Sequence, residues 1–243
     1  MSSSLDVIFT PSLLPFHDLT EKTVVVADVL RATTTVTFAL ANGARDVTPV
    51  LTTDDAFRFA QDSSDVVIGG ERQGLRVEGF ALGNSPLQYT KDAVADRSIV
   101  LTTTNGTRAL LGCRSAKRVL IGSFLNLQSV IKDVMQTARD VVFVCAGKEG
   151  GFCLEDTVFA GACVDSLKSL SDEGKVSFEV TDAAEAAGSL YRDYSLDLIG
   201  MLNNCCHGKS LARIGFGGDL EFCAQINLVD ILPCQVDGRI VTL

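Results

Sequence analysis

Short apolar runs alternate with helix-compatible segments through the first 145 residues of the chain. Val- and Ile-rich runs without polar interruption are typical of strands buried on both faces, and helices between them indicate a mostly parallel sheet. The pattern predicts strands at residues 24–29, 47–51, 66–68, 99–102, 119–121 and 141–145. It predicts helices at residues 34–42, 54–61, 107–113 and 125–138.

The alternation of strand-like and helix-like segments changes after Cys145. Longer helical patterns predict helices at residues 155–170, 182–191 and 196–202. A β-like ending follows at residues 228–232 and 234–243, with Asp237-Gly238 as a hairpin turn. Residues 69–91 are rich in Gly and polar side chains and are predicted to form a long loop.

These elements predict an α/β fold. We expect three α/β/α layers around a mostly parallel sheet, or two α/β lobes that share a cleft. Residues 1–243 are predicted to form a single domain, with any lobe boundary near residues 145–155.

Charge and composition exclude several classes of protein. The net charge of −9 argues against a nucleic-acid partner. The apolar runs are strand-sized, and residues 1–10 lack a signal-peptide pattern, so we expect no membrane association and a cytoplasmic location. An anionic small ligand would need local cations, for which the candidates are Arg31, Arg72, Arg76, Arg108 and Lys148.

The cysteines and histidines give little sign of a metal centre. None of the eight cysteines has C-x-x-C spacing, so free and mostly buried thiols are expected. The two histidines, His17 and His207, do not lie at finger-like spacing from cysteines, which disfavours zinc. His207 is interpreted as an ordinary helix-end histidine.

Polar clusters follow several of the predicted strands. Each alone could be a helix cap, but in parallel α/β sheets the carboxyl ends of strands build the ligand site, so their repetition predicts a shared pocket. The clusters are Asp28 with Arg31, Thr33, Thr34 and Thr35; Gly69-Gly70-Glu71-Arg72; residues 102–107; residues 122–126; and Cys145-Ala146-Gly147-Lys148-Glu149.

Residues 28–35, Asp-Val-Leu-Arg-Ala-Thr-Thr-Thr, are the most informative of these clusters. Three hydroxyls stand where a helix should begin, which is a natural seat for an anion because helix N-termini offer unpaired N–H groups. Asp28 could hold a metal ion or attack phosphorus. Glu155-Asp156 opens another helix, where the two carboxylates either complement the helix dipole or bind Mg²⁺.

Familiar phosphate motifs are absent from the sequence. Gly208-Lys209-Ser210 resembles the end of a P-loop, but Asn203 replaces its first glycine and no predicted strand precedes it. Gly151 stands where a cysteine phosphatase would have arginine after Cys145, and Leu30 replaces the second aspartate of dehalogenase-type phosphatases. No G-x-S-x-G elbow is present.

The ordered set of motifs resembles the 2-phosphosulfolactate phosphatase family. The resemblance runs from the first strong strand to nearly the end of the chain. It is carried by residues 28–35, Gly69-Gly70-Glu71-Arg72, Gly83-Asn84-Ser85-Pro86, Thr103-Thr104-Asn105-Gly106-Thr107, Leu154-Glu155-Asp156 and residues 219–225.

The resemblance implies Mg²⁺-dependent hydrolysis of the phosphate ester of a 2-hydroxy acid. The type substrate is 2-phospho-3-sulfolactate, an intermediate on the route to coenzyme M. On this basis Asp28, Glu155 and Asp156 are predicted to hold Mg²⁺, and attack comes from water or from Asp28. The remaining predicted site comprises Arg31, Arg72 and Asn105 as catalytic groups and Thr33, Thr34, Thr35, Glu71, Thr104, Gly106 and Lys148 as substrate-binding groups.

Two other interpretations are weighed against this one. A non-catalytic anion-binding or sensing protein could use the same anion seats, but it would have little use for Asp28 beside Arg31. A phosphatase for another phosphorylated 2-hydroxy acid would share the whole site. In either case the partner is a small anion, and a homodimer is expected because it is the commonest oligomer.

Overall fold

The computed structural model describes residues 3–61, 65–137, 139–174 and 177–243. The strands are β1 (Ser3–Ile8), β2 (Thr23–Ala27), β3 (Asp46–Pro49), β4 (Val66–Arg72), β5 (Leu75–Arg76), β6 (Ser98–Thr102), β7 (Arg118–Gly122), β8 (Val141–Cys145), β9 (Phe178–Val180), β10 (Pro233–Val236) and β11 (Arg239–Thr242). The α-helices are α1 (Ala32–Ala41), α2 (Thr53–Gln61), α3 (Lys91–Val94), α4 (Gly106–Gly112), α5 (Leu127–Val134), α6 (Leu154–Asp172), α7 (Asp182–Tyr194), α8 (Leu198–Asn204), α9 (Cys206–Arg213) and α10 (Gly217–Cys223).

All of these strands lie in one mixed, mostly parallel sheet of 11 strands, in the order β5-β4-β6-β3-β11-β10-β7-β2-β8-β1-β9. One parallel group contains β4, β6 and β3, and the other contains β7, β2, β8, β1 and β9. The C-terminal hairpin of β10 and β11 lies between the two groups and pairs antiparallel with both. The two parallel groups therefore run in opposite directions.

Two helices cross between the parallel groups. Helix α1 connects β2 to β3, and α4 connects β6 to β7. The first turns of these helices touch, since a Cβ added at Gly106 would lie 2.5 Å from Cβ of Ala32. The carboxyl ends of β2 and β6, which lie in different groups, are thereby brought to the same place.

Strand β2 lies at the centre of the core and is buried along its whole length. Val25 and Ala27 pack into one apolar cluster with residues of α6, while Val24 and Val26 pack into a second cluster with residues of α1 and α4. Because successive strand residues point to opposite faces, helices cover the sheet on both sides here. This arrangement confirms the α/β class.

The predicted elements up to residue 145 are all present, with ends shifted by a few residues. The long loop starts later than predicted, since residues 69–72 still belong to β4. The predicted strand at 228–232 is wrong, although the hairpin turn at Asp237-Gly238 is present. Helix α5 ends at Val134, and the predicted end at residue 138 lies outside the described residues.

The pattern missed several short or polar elements. Strand β1 carries three polar residues in its first four, and β9 has three residues at the sheet edge, so neither shows a long apolar run. Helices α9 and α10 were also missed; α9 lines the candidate site, and α10 carries Asp219, which contacts Arg31. Across the described ranges, no helix is long and apolar enough to cross a membrane.

A close helix contact outside the site is at Gly161, where α6 packs on α7. A Cβ added there would lie 2.0 Å from the carbonyl oxygen of Ala187, which is too close for two heavy atoms. Gly188 on the facing helix has room, since its added Cβ would approach Arg192 no closer than 3.4 Å. The two glycines therefore form a matched pair for substitution.

We expect Gly161→Ala to lower the free energy of unfolding by about 1–3 kcal/mol, because the backbones of α6 and α7 must separate. Gly188→Ala should be neutral or stabilise the protein by up to about 1 kcal/mol through helix propensity. Urea unfolding of both variants and the parent protein measures the difference. Equal urea midpoints for the two variants would show that the close contact between α6 and α7 at Gly161 does not affect stability.

Candidate active site

A cleft of about 370 Å³ opens at the carboxyl ends of the strands. Its walls come from the turns that follow β2, β4, β6 and β8, and α9 covers one side. The lining residues are Asp28, Leu30, Arg31, Glu71, Gln73, Gly74, Asn84, Thr103, Thr104, Asn105, Lys148, Glu149, His207, Ser210, Leu211, Arg213 and Ile214. The strand-end clusters found in the sequence therefore meet in one place.

The threonines after Asp28 are fully buried and do not line the cleft. The Thr33 hydroxyl accepts a hydrogen bond from the backbone N–H of Asp28, and the Thr34 hydroxyl donates to the carbonyl of Val29. The Thr35 hydroxyl donates to the carbonyl of Asn84. These side chains hold the turn in shape, which is a different role from the predicted substrate contact.

The Asp28 carboxylate enters the cleft from this turn and is 5% exposed. Its Oδ1 accepts the N–H of Ala32 at 3.2 Å, at the start of α1. A Cβ added at Gly106 would lie 2.6 Å from Oδ2, so only glycine leaves room for the carboxylate. Gly106 therefore contributes to the site by leaving space for the Asp28 carboxylate.

Burial raises the pKa of Asp28 to about 6. The charge of His207 and the Ala32 N–H oppose the rise, while the charges of Glu71 and Glu155 add to it. Negative neighbours and a low-dielectric setting make Asp28 a group that a bound cation would relieve.

Arg31 is 2% exposed and is held on three sides. It donates from Nη1 to Oδ2 of Asp219 at 2.7 Å and from Nη2 to the carbonyl of Gly74 at 2.8 Å. Its guanidinium also lies 4.3 Å from the ring centre of Phe216. Asp219 in turn accepts the Ser85 hydroxyl at 2.7 Å. Arg31 is therefore fixed in orientation before any ligand arrives.

Glu71 and Arg72 point to different places although they are neighbours on β4. Glu71 lines the cleft and accepts the N–H of Thr104 and of Gly74, each at 2.7 Å. Arg72 turns away and donates to the Thr102 hydroxyl and to the carbonyl of Leu51. The structure does not bring Arg72 into the cleft, in contrast to its predicted catalytic role.

Two further lining residues carry polar atoms that lack partners. Within the described ranges, Oδ1 of Asn84 and Oγ1 of Thr104 are buried without a hydrogen bond, and both residues line the cleft. The side chain of Asn105 accepts the N–H of Glu149 at 2.9 Å, and Lys148 donates to the Ser210 hydroxyl at 3.1 Å. Buried polar atoms without partners are rare in folded proteins and suit a ligand contact.

The Glu155-Asp156 pair lies behind the cleft and does not line it. Asp156 accepts the N–H of Val29 at 2.8 Å and of Gly147 at 3.0 Å, so it ties together the turns after β2 and β8. Burial, with the charges of Glu155 and Asp28, raises the pKa of Asp156 well above its usual value. These contacts give Asp156 a structural role in place of the predicted metal contact.

His207 was missed as a site residue. It lies in the first turn of α9, lines the cleft, and hydrogen-bonds through Nδ1 to Oε1 of Glu155 at 2.9 Å. Cys153 donates to the same oxygen at 3.0 Å. The local sequence pattern does not predict this pair, because 52 residues separate His207 from Glu155.

All eight cysteines are free, and Cys206 is the exposed one. This confirms the expected free and mostly buried thiols. Burial raises the pKa of Cys145 and Cys163 well above the usual thiol value, so neither is a reactive thiolate. The chemistry of the cleft is therefore that of carboxylates, cations and imidazole.

Comparison of the sequence with known proteins identifies related chains. The profile of the family described as 2-phosphosulpholactate phosphatase matches residues 8–238. The chain is 42% identical over 231 residues to a probable 2-phosphosulfolactate phosphatase from Symbiobacterium thermophilum, covering 94% of this chain and 97% of that protein. A protein of the same name from Caldanaerobacter subterraneus is 40% identical, covering 93% and 92%. Another from Clostridium acetobutylicum is 37% identical, covering 98% and 99%.

The buried Arg31–Asp219 pair generates a stability prediction. We expect Asp219→Ala to lower the free energy of unfolding by about 3–5 kcal/mol, since it leaves the arginine buried without its counter-charge. The matched control is Asp230→Ala, which removes a largely exposed partner of Lys132. It should change the free energy of unfolding by less than about 1 kcal/mol. Urea unfolding measures both, and a small effect at Asp219 would contradict the electrostatic role of the pair.

A second prediction follows from the raised pKa of Asp28. A carboxyl whose pKa is higher in the folded state costs stability once the pH rises through that value, here between about 4 and 6. In buffer without divalent cations, Asp28→Asn should therefore stabilise the protein by roughly 1–3 kcal/mol at pH 8 and hardly at all at pH 4. Urea unfolding at both pH values tests this, with Asp230→Asn as control. A variant that is less stable at pH 8 would refute the assignment.

Proposed function

The chain belongs to the 2-phosphosulfolactate phosphatase family of phosphoric monoester hydrolases, and from this premise we propose that it hydrolyses the phosphate ester of a small 2-hydroxy acid with Mg²⁺ as cofactor. The observation that carries the proposal is the shared cleft of Asp28 and Arg31. A nearly buried carboxylate stands there beside a guanidinium that is already oriented.

Phosphate recognition is assigned to Arg31 and Lys148. A guanidinium has five N–H donors, and the contacts of Arg31 with Asp219 and Gly74 leave others for phosphate oxygens. Lys148 adds a second cation from the turn after β8. Both side chains neutralise charge on the phosphate, which is the main requirement for phosphoryl transfer.

The acid end of the substrate is assigned to the part of the cleft wall formed by Asn84, Thr104 and Asn105. The unpartnered hydroxyl of Thr104 can donate to a carboxylate or sulfonate oxygen, and Asn105 lies beside it. Oδ1 of Asn84 can accept a hydrogen bond from the ligand or from water. Hydrogen bonds to otherwise unpaired buried atoms give strong discrimination, so we expect this wall to select the substrate.

The cleft offers a donor set that fits Mg²⁺. Mg²⁺ prefers carboxylate oxygens and keeps several waters, and the carboxylates of Asp28 and Glu71 both line the cleft. Each oxygen of Glu71 accepts one N–H and retains a further lone pair. When bound, the ion would offset negative charge on the phosphate.

Attack on phosphorus is assigned either to the Asp28 carboxylate or to a water molecule beside it. Carboxylate attack would form an acyl phosphate on Asp28 and release the hydroxy acid, after which water would hydrolyse the acyl phosphate. Rapid-quench trapping distinguishes the two routes. A base-labile phosphoenzyme assigns the attack to Asp28, and full turnover without one assigns it to water.

The proposal is tested by phosphate release from 2-phospholactate and 2-phospho-3-sulfolactate with Mg²⁺ and with a chelator. We expect turnover that the chelator abolishes and that Asp28→Asn lowers at least 10³-fold, because charge neutralisation supplies most of the barrier reduction. Asp230→Asn should retain full activity, since this side chain is largely exposed. Binding of the phosphorylated acids without turnover would support a sensing protein instead.

Metal binding has a readout that does not depend on activity. Mg²⁺ should raise the melting temperature of the parent protein and of Asp230→Asn, but not that of Asp28→Asn. An equal shift in all three proteins would place the ion elsewhere.

The proposal also covers the setting of the enzyme. We also propose a single domain with a lobe boundary near residues 145–155, a cytoplasmic location and a homodimer. The route to coenzyme M is one source of the substrate, and the assay with 2-phospho-3-sulfolactate addresses it. Sedimentation measures the oligomeric state.

A further inference from the structure

His207 and Glu155 form a buried carboxylate–imidazole pair at the edge of the cleft. The side chain of His207 is 16% exposed and that of Glu155 is 1% exposed. Nδ1 of His207 is used by Oε1 of Glu155 at 2.9 Å, which leaves Nε2 as the nitrogen for the cleft that His207 lines. A histidine with one nitrogen fixed by a buried carboxylate is held in one tautomer and orientation.

The same cluster has donor types that suit a metal ion, but its geometry favours hydrogen bonds. Cys153, Glu155 and His207 place one ligand atom each within 4.8 Å of the others. The sulfur and the nitrogen both contact a single oxygen, Oε1, at 3.0 and 2.9 Å. Ligand atoms around a tetrahedral zinc would be more than about 3.2 Å apart, and all three atoms here already have partners.

Resting on the proposed phosphatase activity, we propose that His207 is the general acid that protonates the leaving oxygen and that Glu155 is its positioning residue. As the bond between phosphorus and the ester oxygen breaks, the electron pair stays on that oxygen. Nε2 of His207 gives it a proton, so the product leaves as an alcohol. The neutral imidazole then recovers a proton from water.

The charges around His207 support this role. Burial alone would raise the pKa of Glu155, but the hydrogen bond and charge of His207 keep that pKa below its usual value. Glu155 is therefore an ionised hydrogen-bond partner of the imidazole.

The chemistry of the substrate creates the need for such an acid. The alkoxide of a 2-hydroxy acid is a poor leaving group, and proton donation to it contributes typically 10²–10⁴-fold to the rate. A nitrophenolate needs little help because it is stable as an anion. Dependence on the leaving group therefore separates a general acid from a residue that binds phosphate or supports the fold.

The experiment compares His207→Gln with the matched control His17→Gln, which alters the other histidine of the chain. Substrates are 2-phospholactate, phenyl phosphate and p-nitrophenyl phosphate, all with Mg²⁺. We expect His207→Gln to lower kcat/KM by 10²–10⁴-fold for 2-phospholactate, less for phenyl phosphate and less than tenfold for p-nitrophenyl phosphate. Glu155→Gln should give the same order of substrates with smaller losses, and His17→Gln should match the parent protein.

An equal loss on all three substrates, or no loss, would overturn the assignment of His207. The aryl phosphates keep this result separate from the proposed function. If the parent protein hydrolyses them but releases no phosphate from 2-phospholactate or 2-phospho-3-sulfolactate, the substrate proposal fails. The loss in kcat/KM that His207→Gln causes with phenyl phosphate, compared with its loss with p-nitrophenyl phosphate, still decides the role of His207.

Discussion

The burial of carboxylates at the strand ends is the constraint on which the site depends. Asp156, Asp219, Glu71 and Glu155 are each less than a tenth exposed, and each carboxylate accepts hydrogen bonds from backbone N–H groups, a hydroxyl, a thiol, an imidazole or a guanidinium. Removing such a charge from water is costly unless partners replace the lost hydration. The partners come from different turns, so satisfying these carboxylates also joins the turns into one cleft. Asp28 differs, because within the described residues a single N–H donor meets it.

Much of the fold can be predicted from the local pattern of apolar and polar residues, whereas the site can be predicted from it only in part. Apolar runs locate the central strands because burial on both faces leaves little choice of residue, and the strand-end rule correctly groups Asp28, Glu71 and Thr104. Adjacent residues are where the rule fails. Successive side chains on a strand point to opposite faces, so Glu71 in the cleft requires Arg72 to point away.

The same limit applies on helices and across long separations. Glu155 and Asp156 are neighbours on α6 but turn to different partners, His207 and the backbone of Val29. Arg31 and Asp219 are 188 residues apart, and the periodicity of apolar residues along the sequence does not predict such a contact. Helices α9 and α10 supply these distant groups, and neither short sequence shows an apolar pattern that would predict its position near the cleft.

The charge balance of the cleft argues for a divalent cation in the proposed reaction. Arg31, Lys148 and Arg213 face Asp28, Glu71 and Glu149, so the lining cations and anions are matched in number. Asp219 already offsets the charge of Arg31. A substrate that carries a phosphate and a carboxylate or sulfonate would bring several further negative charges into a chain with a net charge of −9. The lining side chains do not neutralise them, whereas a cation held by Asp28 and Glu71, as proposed, would relieve the mutual repulsion of these carboxylates and offset the charge of the phosphate.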